Sequence, residues 1–198
     1  MIEMIGTLLD FTESRFQGKL PVAPVPMDIH EMCHSLVKEL SAAEPDRTIE
    51  LEVDGDGAGT WDPARMAQVV SNLVANGLKH GEAHGPVLVS VAGGDEDVTL
   101  KVTNQGPAIA PELMATLFEP FCRGAGPRDA SHGRGLGLGL YIARQIVDAH
   151  GGAITVESTR EQGTTFTVRL PRAGAAAMTG ARPPAWYADG AAGDALGG

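Results

Sequence analysis

Asn72, Asn76 and His80 recur at i, i+4 and i+8 along Met66-Ala67-Gln68-Val69-Val70-Ser71-Asn72-Leu73-Val74-Ala75-Asn76-Gly77-Leu78-Lys79-His80, and Lys79 stands beside the last of them. Residues four apart on a helix share a face, so this spacing stacks two amides and an imidazole with an ammonium at the end of the row. An amide oxygen is a hard ligand suited to Mg²⁺. A lysine is a compact point charge suited to a phosphate. Met66, Val69, Val70, Leu73 and Val74 form an apolar stripe on the same segment, so one face belongs to a core. A solvated face is the plain alternative for the other, but asparagines in mid-helix lower helix stability, and chemistry would account for keeping them.

Four further stretches carry chemistry-bearing residues. Gly133, Gly135, Gly137 and Gly139 alternate with larger residues and lead into the apolar run Leu138 to Ile142. Glycine permits positive φ and close backbone approach to a ligand, and a helix start beside such a loop offers free N–H groups to an anion. Val102-Thr103-Asn104-Gln105-Gly106-Pro107-Ala108-Ile109 ends a strand in a side-chain oxygen able to accept from the exocyclic amine of adenine, although an ordinary Asx turn would use the same residues. Leu117-Phe118-Glu119-Pro120-Phe121-Cys122-Arg123 places two aromatics three apart, able to anchor the root of a loop in the core. Gly163-Thr164-Thr165-Phe166 brings a hydroxyl to a strand entrance, within reach of a phosphate or an adenine pocket.

Local patterning predicts the elements that must hold these groups. Spaced apolar residues read Met1 to Phe16 as a helix with one apolar stripe, and Pro21, Pro24 and Pro26 impose an extended linker. Asp28 with Glu31 resembles a capping box for a helix to about Leu40. Thr48 to Val53 alternates with period two and reads as a strand, and Asp54 to Gly59 as a turn. Asp62-Pro63 caps the asparagine-bearing helix. Val87–Val91 and Val98–Val102 read as strands joined at Gly-Gly-Asp. A short helix follows Pro111, and a helix over 138–149 ends at Gly151-Gly152. Ile154–Val156 and Thr165–Leu170 close the domain. Beyond Ala173 the alanine- and glycine-rich sequence predicts disorder, with Trp186-Tyr187 as its one spot able to dock.

The chain has 198 residues, 43% of them hydrophobic, and a formal net charge of −10. That charge argues against a nucleic-acid partner. Cys33 and Cys122 form no metal or disulfide pattern and suit a reducing compartment. No apolar run approaches the roughly 18 residues of a membrane span, so a soluble, cytoplasmic segment without membrane contact is expected.

In their order, these stretches resemble the ATP-binding catalytic domain of bacterial sensor histidine kinases, relatives of DNA gyrase, MutL-type repair proteins and heat-shock chaperones. Asn72 to His80 resembles the asparagine box, Val102 to Ile109 the first glycine box, Phe118 to Phe121 the phenylalanine box and Gly135 to Ile142 the second glycine box. His150-Gly151-Gly152 and Gly163 to Phe166 match the usual end of the domain. The resemblance covers about Pro26 to Pro171. It implies an α+β two-layer sandwich of the Bergerat ATP-binding type: a mixed, mostly antiparallel β-sheet of about five strands covered on one face by about three helices. It further implies residues 1–18 as the end of a dimerisation-hairpin helix, 19–27 as a linker, 28–172 as the catalytic domain and 173–198 as a tail.

The resemblance also implies roles. Asn76 would ligate Mg²⁺ with help from Asn72, and Lys79 and His80 would meet phosphates. Asn104 would face adenine and Gly106 would let the base approach, with Ala108, Ile109, Phe118 and Thr164 around it. Gly135, Leu136, Gly137, Leu138, Gly139 and Leu140 would hold the phosphate chain under a lid formed by residues 122–135, and Arg123 would reach the γ-phosphate. The partners implied are ATP, a histidine-containing dimerisation domain and the receiver domain of a response regulator. The family's phosphoacceptor histidine lies upstream of the catalytic domain, so it is expected on another segment or chain. Two positions depart from the family pattern: Asn104 stands where aspartate is usual and Ala108 where glycine is usual. The alternative is a regulatory module of the same fold, such as an anti-sigma-type serine kinase or a pseudokinase. His30-Glu31-Met32-Cys33-His34 also spells the H-E-x-x-H zinc pattern, without a third ligand at a convincing spacing.

Overall fold

Asp28 sets where the first helix begins. In the computed structural model, which describes residues 20–122 and 136–173, its side chain accepts from the backbone N–H groups of His30 at 2.7 Å and Glu31 at 3.4 Å. This starts α1 (Ile29–Ala43). Asp62 does the same for α2 (Pro63–His80), accepting from Ala64 and Arg65 at 3.1 Å each, with proline in the first turn. Both capped starts agree with the sequence reading, because a cap is a local interaction.

The strands follow the period-two pattern and extend beyond it: β2 (Ile49–Asp54), β4 (Val87–Gly93), β5 (Asp97–Asn104), β6 (Ala153–Thr159) and β7 (Gly163–Pro171). They form one five-stranded sheet in the order β2-β4-β5-β7-β6. The β2–β4 pair is parallel and the other three are antiparallel. Val87, Val89 and Val91 of β4, Val98, Leu100 and Val102 of β5, and Phe166, Val168 and Leu170 of β7 are all buried. They face α1, α2 and α4 (Gly139–Ala149), whose buried stripes complete a single core. A one-turn helix, α3 (Pro111–Met114), lies outside that layer. The result is the two-layer α+β sandwich the resemblance implies.

Two segments differ from the sequence reading. Val25–Asp28, expected as the end of a linker, is β1, and it pairs antiparallel with β3 (Ala58–Trp61), a stretch read in part as a turn. Ala-Gly-Thr-Trp has no apolar alternation, so its strand state comes from its partner. Arg172 holds this small sheet to the large one, donating from Nε to the Gly94 carbonyl at 2.8 Å, from Nη2 to that of Asp56 at 2.6 Å, and from Nη1 to that of Ala58. Trp61, fully buried, donates its indole N–H to the Pro171 carbonyl at 3.0 Å.

His150 joins α2 to α4. Its ring is fully buried; Nδ1 donates to the Ile146 carbonyl at 2.8 Å and Nε2 accepts from the Asp62 backbone N–H at 3.0 Å. Burial lowers its pKa, and this outweighs the Ile146 carbonyl and the Asp62 carboxylate, which both raise it. Burial pushes the Asp62 carboxyl upward, but N–H donors from Ala23, Arg65 and Ala64 hold it below the usual carboxylate range. The expectations for residues 1–18, for the tail beyond 173 and for the lid over 123–135, with Arg123 and Gly135, lie outside the described residues.

Candidate functional site

The C-terminal end of α2, the end of β5 and the start of α4 carry the residues singled out above. Asn104 is the last residue of β5, opposite Val87 in β4 and Thr164 in β7, and is 5% exposed. Its Nδ2 donates to the Gln105 carbonyl at 3.2 Å. Only a nitrogen can face that carbonyl, so Oδ1 points the other way, toward Gly77, 3.4 Å from where a Cβ there would sit. A Cβ on Gly77 would also lie 3.3 Å from both methyls of Val87. Glycine there lets α2 pass close over the sheet, at a helix cost of about 1 kcal/mol relative to alanine.

The turn after α2 is stitched to the segment after β5. The Glu82 N–H donates to the Gln105 carbonyl at 2.7 Å. Gly106, with φ +153°, lets the Gly81 Cα and the His80 carbonyl come within 3.2 Å of its missing Cβ. The room left by that glycine is thus taken by the chain itself. Gly163, with φ +73°, admits the Asn104 carbonyl to within 2.2 Å of where a Cβ would sit. The Thr164 hydroxyl bonds Ser158 Oγ at 2.8 Å, and Ser158 Oγ accepts from the Ile109 N–H at 3.0 Å. Thr164 therefore steadies the segment that carries Ala108 and Ile109. Sequence reasoning ended β6 at Val156 and missed Ser158, which the register places directly across from Thr164.

At the other end, Asn72 Oδ1 lies 3.4 Å from the Cβ position of Gly139, the first residue of α4. Among the described residues, no side chain caps that helix start. An amide oxygen thus stands near the start of a helix, where the positive end of the dipole suits an anion. Asn76 follows one turn along α2, half-buried, and Lys79 and His80 are exposed at its end. Leu136 and Leu140 are half-buried. Leu138 is a core side chain at 1% exposure, so it offers the site only its backbone.

The phenylalanine pair behaves asymmetrically. Phe118 meets Phe166 edge to face, centroids 6.3 Å apart at 81°, with the Arg144 guanidinium 6.0 Å from its own ring centroid. Phe121, expected to anchor in the core with it, is 55% exposed and takes φ +65°. Hydrogen bonds from Glu119 to Thr116 and from Cys122 to Glu119 reverse the chain there and turn the second ring outward. The Phe121 N–H donates to the Gly137 carbonyl at 2.9 Å, joining residues 121 and 137 across the undescribed segment.

In the H-E-x-x-H stretch, His34 is exposed while His30 is half-buried, its Nε2 without a partner among the described residues. Among those residues, no group of three His, Cys, Asp or Glu could hold a metal. The magnesium expectation rests instead on the amide oxygens of Asn76 and Asn72.

Residues 61–174 match the family described as Histidine kinase-, DNA gyrase B-, and HSP90-like ATPase. Among curated proteins, the bacteriophytochrome of Pseudomonas aeruginosa is 35% identical over 171 residues, covering 86% of this chain and 23% of that protein. Among solved structures, full-length ShkA in complex with AMPPNP superposes with a TM-score of 0.71 at 27% identity, covering 92% of this chain and 37% of that one. Histidine kinase ThkA in complex with the response regulator TrrA gives 0.68 at 25% identity, covering 86% and 47%. The chain thus spans about a quarter of the bacteriophytochrome and under half of either kinase. With the matched region taking in α2, the Asn104 strand end and α4, the chain belongs to the histidine kinase-, gyrase B- and HSP90-like ATPase family.

Proposed function

We propose that this chain is the ATP-binding catalytic domain of a sensor histidine kinase. In this reading it binds Mg²⁺–ATP and delivers the γ-phosphoryl to a histidine on a dimerisation domain, for relay to an aspartate of a response regulator. The observation that supports it is the nearness of Asn72 to the start of α4, where among the described residues no side chain caps the helix, in a chain of this family. The ShkA complex with a nucleotide analogue and the ThkA complex with a response regulator support the two halves of the reading.

The residue roles are part of the proposal. Asn104 Oδ1 accepts from the adenine amine, its orientation held by the Gln105 carbonyl. Gly106 lets the base approach along the turn that follows Asn104. Asn76, assisted by Asn72, holds Mg²⁺, which when bound neutralises charge on the phosphates. Lys79, His80 and the α4 N–H groups orient the phosphate chain, and Arg123 reaches its end. Phosphoryl transfer depends on such positioning more than on covalent protein chemistry. Asn72 cannot act as a base, so the chain alone hydrolyses ATP slowly. Residues 1–18 serve as the end of a dimerisation helix, 19–27 as the linker, 28–172 as the catalytic domain and 173–198 as a tail, and the protein works in the cytoplasm.

Calorimetric titration with a non-hydrolysable ATP analogue, with and without Mg²⁺, tests this. Magnesium-dependent binding that Asn76→Ala abolishes is the expected result. No binding under either condition refutes the reading and favours an interaction module built on the same fold.

A further inference from the structure

Arg47 lies between α1 and β2, far in sequence from every residue assigned above. Its Nη1 donates to the Leu78 carbonyl at 2.8 Å and its Nη2 to the Glu82 carbonyl at 3.2 Å. Those carbonyls bracket Lys79, His80 and Gly81. The Leu78 carbonyl belongs to the peptide plane from which Lys79 departs. Glu82 is the residue whose N–H is bonded to Gln105, next to Asn104.

A solvated helix end needs no such partner, because water satisfies the last carbonyls. Here a half-buried guanidinium does so instead, and its Nε is buried without a partner among the described residues. An unpaired buried donor is costly, so the arrangement trades solvation for a defined geometry. The planar fork of arginine holds two carbonyls in one fixed geometry, which a lysine ammonium on its flexible stem does not. The positive charge also suits the negative end of the α2 dipole.

We infer that Arg47 is a positioning residue for the nucleotide site: it fixes the last turn of α2, and with it the spacing between the Lys79–His80 edge and the Asn104 end of the pocket. The inference rests on the nucleotide reading above.

The test is calorimetric titration of the 198-residue chain with the same ATP analogue and Mg²⁺, alongside thermal melting, for wild type, Arg47→Ala and Arg47→Lys. Arg47→Ala weakens binding about tenfold, in line with losses on removing residues that orient first contacts. Millimolar guanidinium, far below denaturing concentrations, partly restores it. Arg47→Lys weakens binding as well, because the charge remains but the fork is gone. A purely structural role would lower the melting point and leave the affinity of the folded protein, and its response to guanidinium, unchanged. Equal affinity in wild type and Arg47→Ala overturns the inference. Should Arg47→Ala fail to fold, Arg47→Lys decides: wild-type affinity overturns the inference and weakened affinity upholds it. A wild type that does not bind removes the nucleotide reading, and the inference falls with it.

Discussion

Replacing His150 with phenylalanine keeps a planar ring, somewhat larger, in a fully buried position and removes both polar contacts. The Ile146 carbonyl keeps a partner, since the His150 backbone N–H already reaches it at 3.2 Å. The Asp62 N–H loses its acceptor at 3.0 Å, in a partly buried place. Leaving one such donor unpaired costs about 1–3 kcal/mol and the lost bond itself about 1, so about 2–4 kcal/mol in all. For a domain of this size that lowers the midpoint by about 6–12 °C. The effect also depends on pH. The folded-state pKa of His150 lies below its ordinary 6.5, so the unfolded chain binds the proton first as pH falls. The histidine's contribution is complete above pH 6.5 and shrinks as pH falls from there toward the folded pKa. The gap between wild type and His150→Phe therefore narrows between pH 7.5 and pH 5.5. Thermal melts followed by circular dichroism across that range measure it. A gap that is constant or widens toward acid refutes the assignment of a buried neutral imidazole. Because His150 sits at the start of α2 and the end of α4, away from the candidate site, nucleotide affinity well below the midpoint should not change.

Gly163→Ala should destabilise by about 2 kcal/mol or more, since φ +73° alone costs a side chain about 1–2 kcal/mol and its Cβ would meet the Asn104 carbonyl at 2.2 Å; a urea midpoint equal to wild type would count against the packing at the strand end. Burial pushes the Cys33 thiol up to about 12, so in the native chain at pH 8 a maleimide should label Cys122, which is half-buried, and spare Cys33. Mass spectrometry showing prompt modification of Cys33 would contradict its place in the core. Asp62→Ala removes the cap of α2 and the acceptor of the Ala23 N–H at 2.9 Å; a loss of about 1–2 kcal/mol is expected, measurable by chemical denaturation, and it should fade as pH falls through the depressed carboxyl pKa.

Local signals in the sequence were enough to place the helices and the strands of the five-stranded sheet. Asp28 and Asp62 announce helix starts through bonds two and three residues away, and the valines of β4 and β5 announce strands through an alternation that needs no knowledge of the partner. The order of the asparagine, glycine and phenylalanine stretches likewise survives in the linear chain. What tertiary structure decided is everything that depends on two distant segments meeting. β3 is a strand because β1 lies beside it. Phe118 finds Phe166 while Phe121, three residues on, faces outward, and no spacing rule separates them. Gly106 and Gly163 read as room for a ligand or a turn, yet the backbone of the α2 end and of Asn104 fills the space beside them. His150, Arg172 and Arg47 look like ordinary polar residues until their partners 88, 114 and 31 positions away are known. A cap or an alternation is written within a few residues because its interactions are that short. A buried hydrogen bond across the fold depends on both ends arriving together, and only the folded chain brings them there.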